Sequence, residues 1–318
     1  MPHLGTVIFV DSVHSILWNR LQYMGWECID QTTLAAEAAK KEIVKYDGIV
    51  IRSKFKLTEA LLKSCKQLKF IARAGSGLEN IDLNAANRLD IKVFSSPEGN
   101  RDALAEHATG AILMLMNNLK RADEEVRSGV WKRAENRGYE LKGKTIGLIG
   151  YGVMGKSFAE RLSGFGIEII AYDINKTNFS DKYTTEVTLK ELQQRSDIVS
   201  LHMDFHLHNK YFVDEIFIDE FKKPFYLINT ARGFNVNSEA LVTALKSGKI
   251  LGACLDVLEY ESVSFEGVSD TNNPPALQYL LTADNVILSP HIAGWTHESH
   301  FKLSNVLADK IQNYYKNH

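Results

Sequence analysis

The stretch IGLIGYGVMGKS, residues 146–157, constrains this chain more than any other. Gly150, Gly152 and Gly155 follow an apolar, β-rich run and precede a helical one, which is the G-x-G-x-x-G spacing of a dinucleotide-binding turn. The same letters, from Gly150 to Ser157, also satisfy G-x-x-x-x-G-K-S, the loop that wraps the phosphates of ATP or GTP. Both patterns offer an anion the free N–H groups and dipole of a helix N-terminus, so the surroundings decide. TIGLI reads as a strand, KSFAERLSGFG as the following helix, and IEIIAYD as a second strand ending in Asp173. An acidic residue about 20 positions past the turn is placed to accept both ribose hydroxyls. A nucleoside-triphosphate loop needs a second carboxylate for magnesium, and Asp204 after IVSLHM is available. Gly152, however, permits close approach of a pyrophosphate and has no purpose in that loop, and Val153 and Met154 suit the first turn of a helix. We adopt the dinucleotide reading, with Lys156 and Ser157 on the helix surface. A carboxylate at Asp173 repels a 2′-phosphate and therefore favours NAD over NADP, with Lys176 nearby pulling the other way.

Further from the turn, short apolar runs alternate with amphipathic segments. TVIFVD, DGIVIRS, KFIARAG and IKVFSS read as buried strands, separated by HSILWNRLQYMG, AAEAAKKEIVKY and LTEALLKSC. A second series has strands at IEIIAYD, DIVSLHM, PFYLINT, KILGACLDV and NVILSP. Alternation of this kind predicts α/β architecture with parallel sheets covered by helices on both faces. Residues 101–127 read as one long helix, buried on more than one face. Residues 261–285 read as the longest irregular piece, with turn signals at Gly267, Asn272, Asn273, Pro274 and Pro275. At 318 residues the chain has length for two domains. A net charge of −2 and a pI of 6.6 argue against a nucleic-acid or membrane-surface partner. Cys28, Cys65 and Cys254 are odd in number and widely spaced, as expected of reduced thiols in a cytoplasmic protein rather than a disulfide framework.

In an open parallel sheet, ligands collect beyond the carboxyl ends of the strands. Three residues just past such ends have types suited to hydride exchange at a C–OH carbon: Arg232 after INT, Glu261 after LDV and His291 after LSP. A guanidinium grips a substrate carboxylate in bidentate fashion. An imidazole gives or takes the hydroxyl proton, and a carboxylate beside it stabilises the imidazolium. Taken singly, each such residue is more often a surface or capping group, and it is the nucleotide turn that raises their standing. Glu259 competes with Glu261 for the carboxylate role. His202, His206 and His208 straddle a strand end without a fourth ligand, so no metal is expected. His297 and His300 read as surface residues of the last helix, and Cys254 as core.

The motifs ARAGSGLENID, the NxxxxAEH of Asn100 to His107, ELKGKTIGLIGYGVMG, SDIVSLH, INTARG, LDV and SPHIAG run over nearly the whole chain. Together they resemble the D-isomer-specific 2-hydroxyacid dehydrogenases. The resemblance implies a Rossmann NAD-binding domain, residues 99–295, inserted into a flavodoxin-like substrate domain, residues 1–98, which the last helix, 296–318, completes. It implies that Arg232 binds the substrate carboxylate and that Glu261 pairs with His291. It further implies that Gly150, Gly152, Val153, Met154, Gly155, Asp173, His202, Thr230, Ala231, Asp256, Ala293 and Gly294 line the NAD. IRSKFKLT and RAGSG bring the chain nearest to family members acting on 3-phosphoglycerate, in serine biosynthesis. Arg52, Lys56 and Arg73 would then converge on the phosphate, with Ala74, Gly75 and Asn100 beside the substrate. Glyoxylate or hydroxypyruvate reduction is the alternative within the class, and a non-enzymatic NAD-sensing protein the alternative outside it. A small-molecule substrate and a homodimer, with its seam near the helix starting at Arg101, are the expected partners. The chain departs from the family pattern at Asp204 and Ser262, where proline is usual, at Trp295, where a small residue is usual, and in a longer 262–286 segment. No regulatory domain is expected beyond His318.

Overall fold

Short strands of two to six residues, most of them largely apolar, pair here into two all-parallel sheets. The computed structural model describes residues 3–204, 206–261 and 273–316. Two units result, Met1–Asn100 with Trp295–His318, and Arg101–Gly294.

In the first unit the chain runs β1 (Gly5–Phe9), α1 (Ser15–Met24), β2 (Trp26–Asp30), α2 (Ala36–Glu42), β3 (Gly48–Ile51), α3 (Glu59–Ser64), β4 (Phe70–Arg73), α4 (Leu83–Arg88) and β5 (Lys92–Ser95). The strand order is β2-β1-β3-β4-β5, the flavodoxin-like order. Period-2 alternation divides the core. Ile8, Ile49, Ile51 and Ile71 face one layer, whereas Val7, Phe9, Val50 and Phe70 face the other. Leu307, Ala308 and Ile311 of the last helix fill that second layer. Gly99 makes this possible: a Cβ there would lie 2.5 Å from the backbone nitrogen of Leu303. Strand β2, WECID, was not among the expected strands. Its polar Glu27 breaks the apolar pattern, and Gly25 (φ 100°) ends α1 directly before it.

The second unit opens with α5 (Arg101–Met116) and α6 (Leu119–Arg127), then β6 (Thr145–Ile149), α7 (Val153–Leu162), β7 (Glu168–Tyr172), β8 (Thr185–Glu186), α8 (Leu189–Arg195), β9 (Ile198–Leu201), α9 (Glu215–Asp219), β10 (Phe225–Asn229), α10 (Ser238–Ser247), β11 (Ile250–Leu255), α11 (Pro275–Thr282) and β12 (Val286–Leu288). The last helix, α12 (His297–Lys316), belongs to the first unit. The order β12-β11-β10-β9-β6-β7-β8 is the doubly wound Rossmann order, which reverses between β6 and β9.

Two expectations need correction. The single helix over 101–127 is two helices, because Asn118 adopts a left-handed conformation (φ 54°) between them. Only α5 is buried; α6 contributes no buried residue. Within the stretch read as irregular, PALQYLLT forms α11, started by Pro275 in the first turn, where its missing N–H costs nothing. Gly267 and Asn272 lie outside the described residues. Among the described residues, no helix is long and apolar enough to cross a membrane.

Candidate active site

The glycine turn joins β6 to α7 at the point where the strand order reverses. Gly150 has φ 95°, and a Cβ there would sit 2.7 Å from the His202 carbonyl oxygen. At Gly155 a Cβ would meet the Gly150 carbonyl oxygen at 2.4 Å, so helix and turn touch backbone to backbone. Gly152 is different: the nearest atom to a Cβ there is the Lys176 Nζ at 4.0 Å. The open side of the turn is therefore at Gly152, which is also the N-cap of α7 and supplies no side-chain cap. The first N–H groups of α7, at Val153 and Met154, stay available to an anion. Lys156 instead pairs with Asp181 at 3.1 Å on the helix surface, whereas Ser157, expected on that surface, is buried. Neither lies in the turn, which answers the ambiguity of the two glycine patterns.

Asp173 follows β7 and is half exposed. Its carboxylate accepts from Tyr151 N (2.8 Å) and Asn175 N (2.9 Å), which leaves lone pairs for further donors. Beyond β10, the Thr230 hydroxyl is buried and has no partner among the described residues. A turn open at one glycine, an uncapped helix and an orphaned hydroxyl fit a bound dinucleotide. His202 fits less directly. Its ring lies tilted against Phe158, its Nε2 meets Ser200 Oγ at 2.9 Å, and burial pushes its pKa down to about 3. The expectation of a cofactor-binding His202 is thus narrowed to its backbone, because the ring is core.

The turn carrying Arg232 follows β10. Ala231 N donates to Asn229 Oδ1 (3.0 Å), Asn229 Nδ2 donates to the Arg232 carbonyl (2.9 Å), and Arg232 Nη1 donates to the Ala231 carbonyl (2.6 Å). A Cβ on Gly233 would fall 1.9 Å from the Leu258 carbonyl oxygen. That contact seats the Arg232 turn directly against the segment leading from β11 to Glu261. At the end of this segment, Glu261 Oε2 meets His291 Nδ1 at 2.8 Å, and its other oxygen accepts from Leu258 N. Glu259 is occupied elsewhere: it accepts from the Tyr211 hydroxyl and from Ser238 N (3.1 Å) at the start of α10. Of the two glutamates, the geometry gives His291 to Glu261.

His291 itself has φ 56°. Asp256, buried behind it, accepts from Ile292 N and Ala293 N (both 2.8 Å) through its carboxylate and from His291 N (2.8 Å) through its carbonyl. Ser289 Oγ donates to Asp256 Oδ1 at 2.6 Å and meets His107 Nε2 at 3.0 Å. Neither Ser289 nor His107 was singled out from the sequence, although both stand inside quoted motifs, SPHIAG and NxxxxAEH.

In the first unit, Arg52 and Arg73 follow from neighbouring strands, Arg73 pairing with Ile51 in the ladder. The Asp11 carboxylate accepts from the amides of Arg52, Ser53 and Lys54. The Arg52 guanidinium lies 4.1 Å from the Trp295 ring centroid, and burial lowers its pKa. With Ala74, Trp295, Ser299 and His300 it lines a cavity of about 20 Å³, room for a water but not for a phosphate. Burial, then His14 and Arg52, lower the pKa of His300, which is exposed on α12, as expected of a surface residue. The Arg73 guanidinium lies over Gly75, whose Cβ would collide with it. Asn100 Oδ1 accepts from Ser76 Oγ at 2.6 Å. Lys56 does not join these groups: it is exposed and lines a separate groove with Lys40, Lys54 and Thr58. The expected convergence of three cations therefore does not include Lys56, which lines that groove, whereas Arg52 and Arg73 leave the neighbouring strands β3 and β4. His206 and His208 stack on each other, 4.6 Å between centroids, and no cluster of metal-ligating side chains exists among the described residues.

Residues 109–293 match the family profile of the D-isomer specific 2-hydroxyacid dehydrogenase, NAD binding domain. The chain is 36% identical over 278 residues to a hydroxypyruvate reductase of Thermotoga maritima, covering 87% of this chain and 88% of that protein. It is 34% identical over 291 residues to a D-3-phosphoglycerate dehydrogenase of Archaeoglobus fulgidus, covering 91% of this chain and 53% of that protein. This chain thus spans about half the length of that dehydrogenase. Among solved structures, the D-lactate dehydrogenase from Aquifex aeolicus complexed with NAD and lactic acid superposes with a TM-score of 0.81 at 28% identity, over 98% of this chain and 96% of that one.

Proposed function

Since the chain belongs to the D-isomer-specific 2-hydroxyacid dehydrogenases and carries their NAD-binding domain, we propose that it interconverts a small D-2-hydroxy acid and its 2-oxo acid. The observation that carries this reading is the 2.8 Å contact between His291 Nδ1 and Glu261 Oε2. NAD, when bound, supplies the hydride acceptor or, reduced, its donor. The residues of the chain do the rest. Arg232 takes the substrate carboxylate, for which a planar fork of donors is suited. His291 has Nδ1 committed to Glu261, so Nε2 is the atom that gives the carbonyl oxygen its proton in reduction and takes it back in oxidation. Glu261 holds the ring in that tautomer and stabilises its charged form. The same pair argues against a purely NAD-sensing protein, which has no need of a proton donor.

Within the class, 3-phosphoglycerate is the substrate we infer, on Arg52 and Arg73 standing at adjacent strand ends. A second reading, hydroxypyruvate or glyoxylate, is favoured by Trp295 covering Arg52 and by the divergence of Lys56. Comparing phosphohydroxypyruvate with hydroxypyruvate separates them. A charge-assisted contact contributes about 1.5–3 kcal/mol, so each arginine used is expected to favour the phosphorylated acid tenfold or more in kcat/KM. Arg52→Ala is then expected to cut the preference by about tenfold or more and leave hydroxypyruvate turnover nearly intact. Equal use of both acids by the wild type would reject phosphoglycerate and leave the second reading. The proposal includes a homodimer, supported by exposed Leu119, Val126, Trp131 and Tyr139 around α6, and a cytoplasmic setting, supported by three free, buried cysteines.

A further inference from the structure

His291 holds a left-handed backbone conformation, which a residue with a side chain keeps only where its surroundings fix it. What fixes it is Asp256, a carboxylate only 3% exposed, through the amides of Ile292 and Ala293 and its own carbonyl. Asp256 in turn is held from the opposite side. Ser289 has a single hydroxyl proton and gives it to Asp256 Oδ1 at 2.6 Å. Towards His107, 3.0 Å away, the same oxygen can therefore only accept, so His107 Nε2 carries the proton. That nitrogen also lies 3.7 Å from Asp256 Oδ1. A hydrogen-bonded chain thus runs from α5 through Ser289 and Asp256 to the turn that aims His291, and it is separate from the Glu261 contact.

We propose that His107 is a positioning residue: acting through Ser289, it keeps Asp256 in place and so sets the direction of His291. The inference rests on the reading of His291 as proton donor. A misplacement of about 1 Å at a reacting group is enough to cost up to 10²-fold in rate, so a side chain that never touches substrate has room to matter.

The test uses His107→Leu, which removes the donor, His107→Gln, whose amide N–H can replace it, Ser289→Ala, and the double variant His107→Leu/Ser289→Ala. Each is measured for thermal midpoint, NADH affinity, kcat and KM for a 2-oxo acid, and hydrogen exchange of the Ile292 and Ala293 amides. His107→Leu is expected to lower kcat about tenfold or more with KM and NADH affinity within twofold of wild type, and to speed exchange at both amides. His107→Gln should restore kcat and slow exchange. The double variant should be no worse than Ser289→Ala, as residues in one chain are not additive. An unchanged kcat in His107→Leu overturns the proposal, as does loss of kcat and thermal midpoint together without rescue by His107→Gln. If the wild type turns over no 2-oxo acid, the dehydrogenase reading is what has failed. Amide exchange then still decides whether His107 holds the turn, and unchanged exchange in His107→Leu rejects it.

Discussion

Two glutamates stand two positions apart, and their partners separate their work. Glu261 meets the imidazole of His291, whereas Glu259 caps α10 through Ser238 N and accepts from Tyr211. Glu261→Gln is expected to lower kcat for reduction, since the imidazole loses the carboxylate that orients it. Glu259→Gln should leave kcat in place and lower thermal stability instead. The opposite pattern would mean that the pairing has been assigned to the wrong carboxylate. His202 gives a second prediction at this scale. Its ring is buried without a charged partner and has its pKa pushed down to about 3. Below the ordinary imidazole value of about 6.5, the unfolded chain takes up a proton that the folded one refuses, so stability falls with falling pH, by up to about 1.4 kcal/mol per pH unit, until the folded value is reached. Carboxylates add to acid unfolding, so the measurement is a difference. Chemical denaturation of wild type and His202→Gln between pH 7 and pH 4 should show a gap in stability that changes steadily with pH. A constant gap would contradict the account.

At the scale of elements, the turn between β6 and α7 distinguishes glycines needed for folding from one needed for a ligand. A Cβ at Gly155 meets an immovable carbonyl, and Gly155→Ala is expected to destabilise the fold by about 1–3 kcal/mol. A Cβ at Gly152 meets nothing nearer than 4.0 Å, so Gly152→Ala should fold with stability within about 1 kcal/mol of wild type. It should nevertheless lose NADH binding by calorimetry, since the methyl group fills the side left open to the pyrophosphate. Retained binding in Gly152→Ala would show that the cofactor does not use this turn. The same turn shows what a sequence reveals. The strand, the helix and the place of Asp173 just after the second strand carry their signals locally and match the structure. Strand β2 was not legible, because Glu27 interrupts its apolar pattern and its pairing with β1 is decided by the sheet. The break at Asn118 was hidden because asparagine enters the left-handed region without a glycine to announce it. Helix α11 was hidden behind two prolines that normally signal a loop.

For the whole molecule, each unit has its own parallel sheet and two-layered core, and α12 returns the end of the chain to the unit where the chain began. Only the strand ends that carry Arg232, Glu261 and His291 were legible as chemistry. The contacts that bring them together were not, because Gly233 against Leu258 and Ser289 against Asp256 join residues far apart in sequence. Lys56 stands four residues past Arg52, and its place in a separate groove was not legible from that spacing. The central claim is that the chain reduces 2-oxo acids with His291 as the proton donor. It is tested most directly by following NADH oxidation with phosphohydroxypyruvate, hydroxypyruvate and glyoxylate, using wild type and His291→Ala. The account predicts turnover of at least one acid by the wild type and a fall in kcat of about 10²–10⁴-fold in the variant, with NADH still bound. No turnover of any acid by NADH-bound wild type, or a His291→Ala variant as fast as wild type, would contradict it.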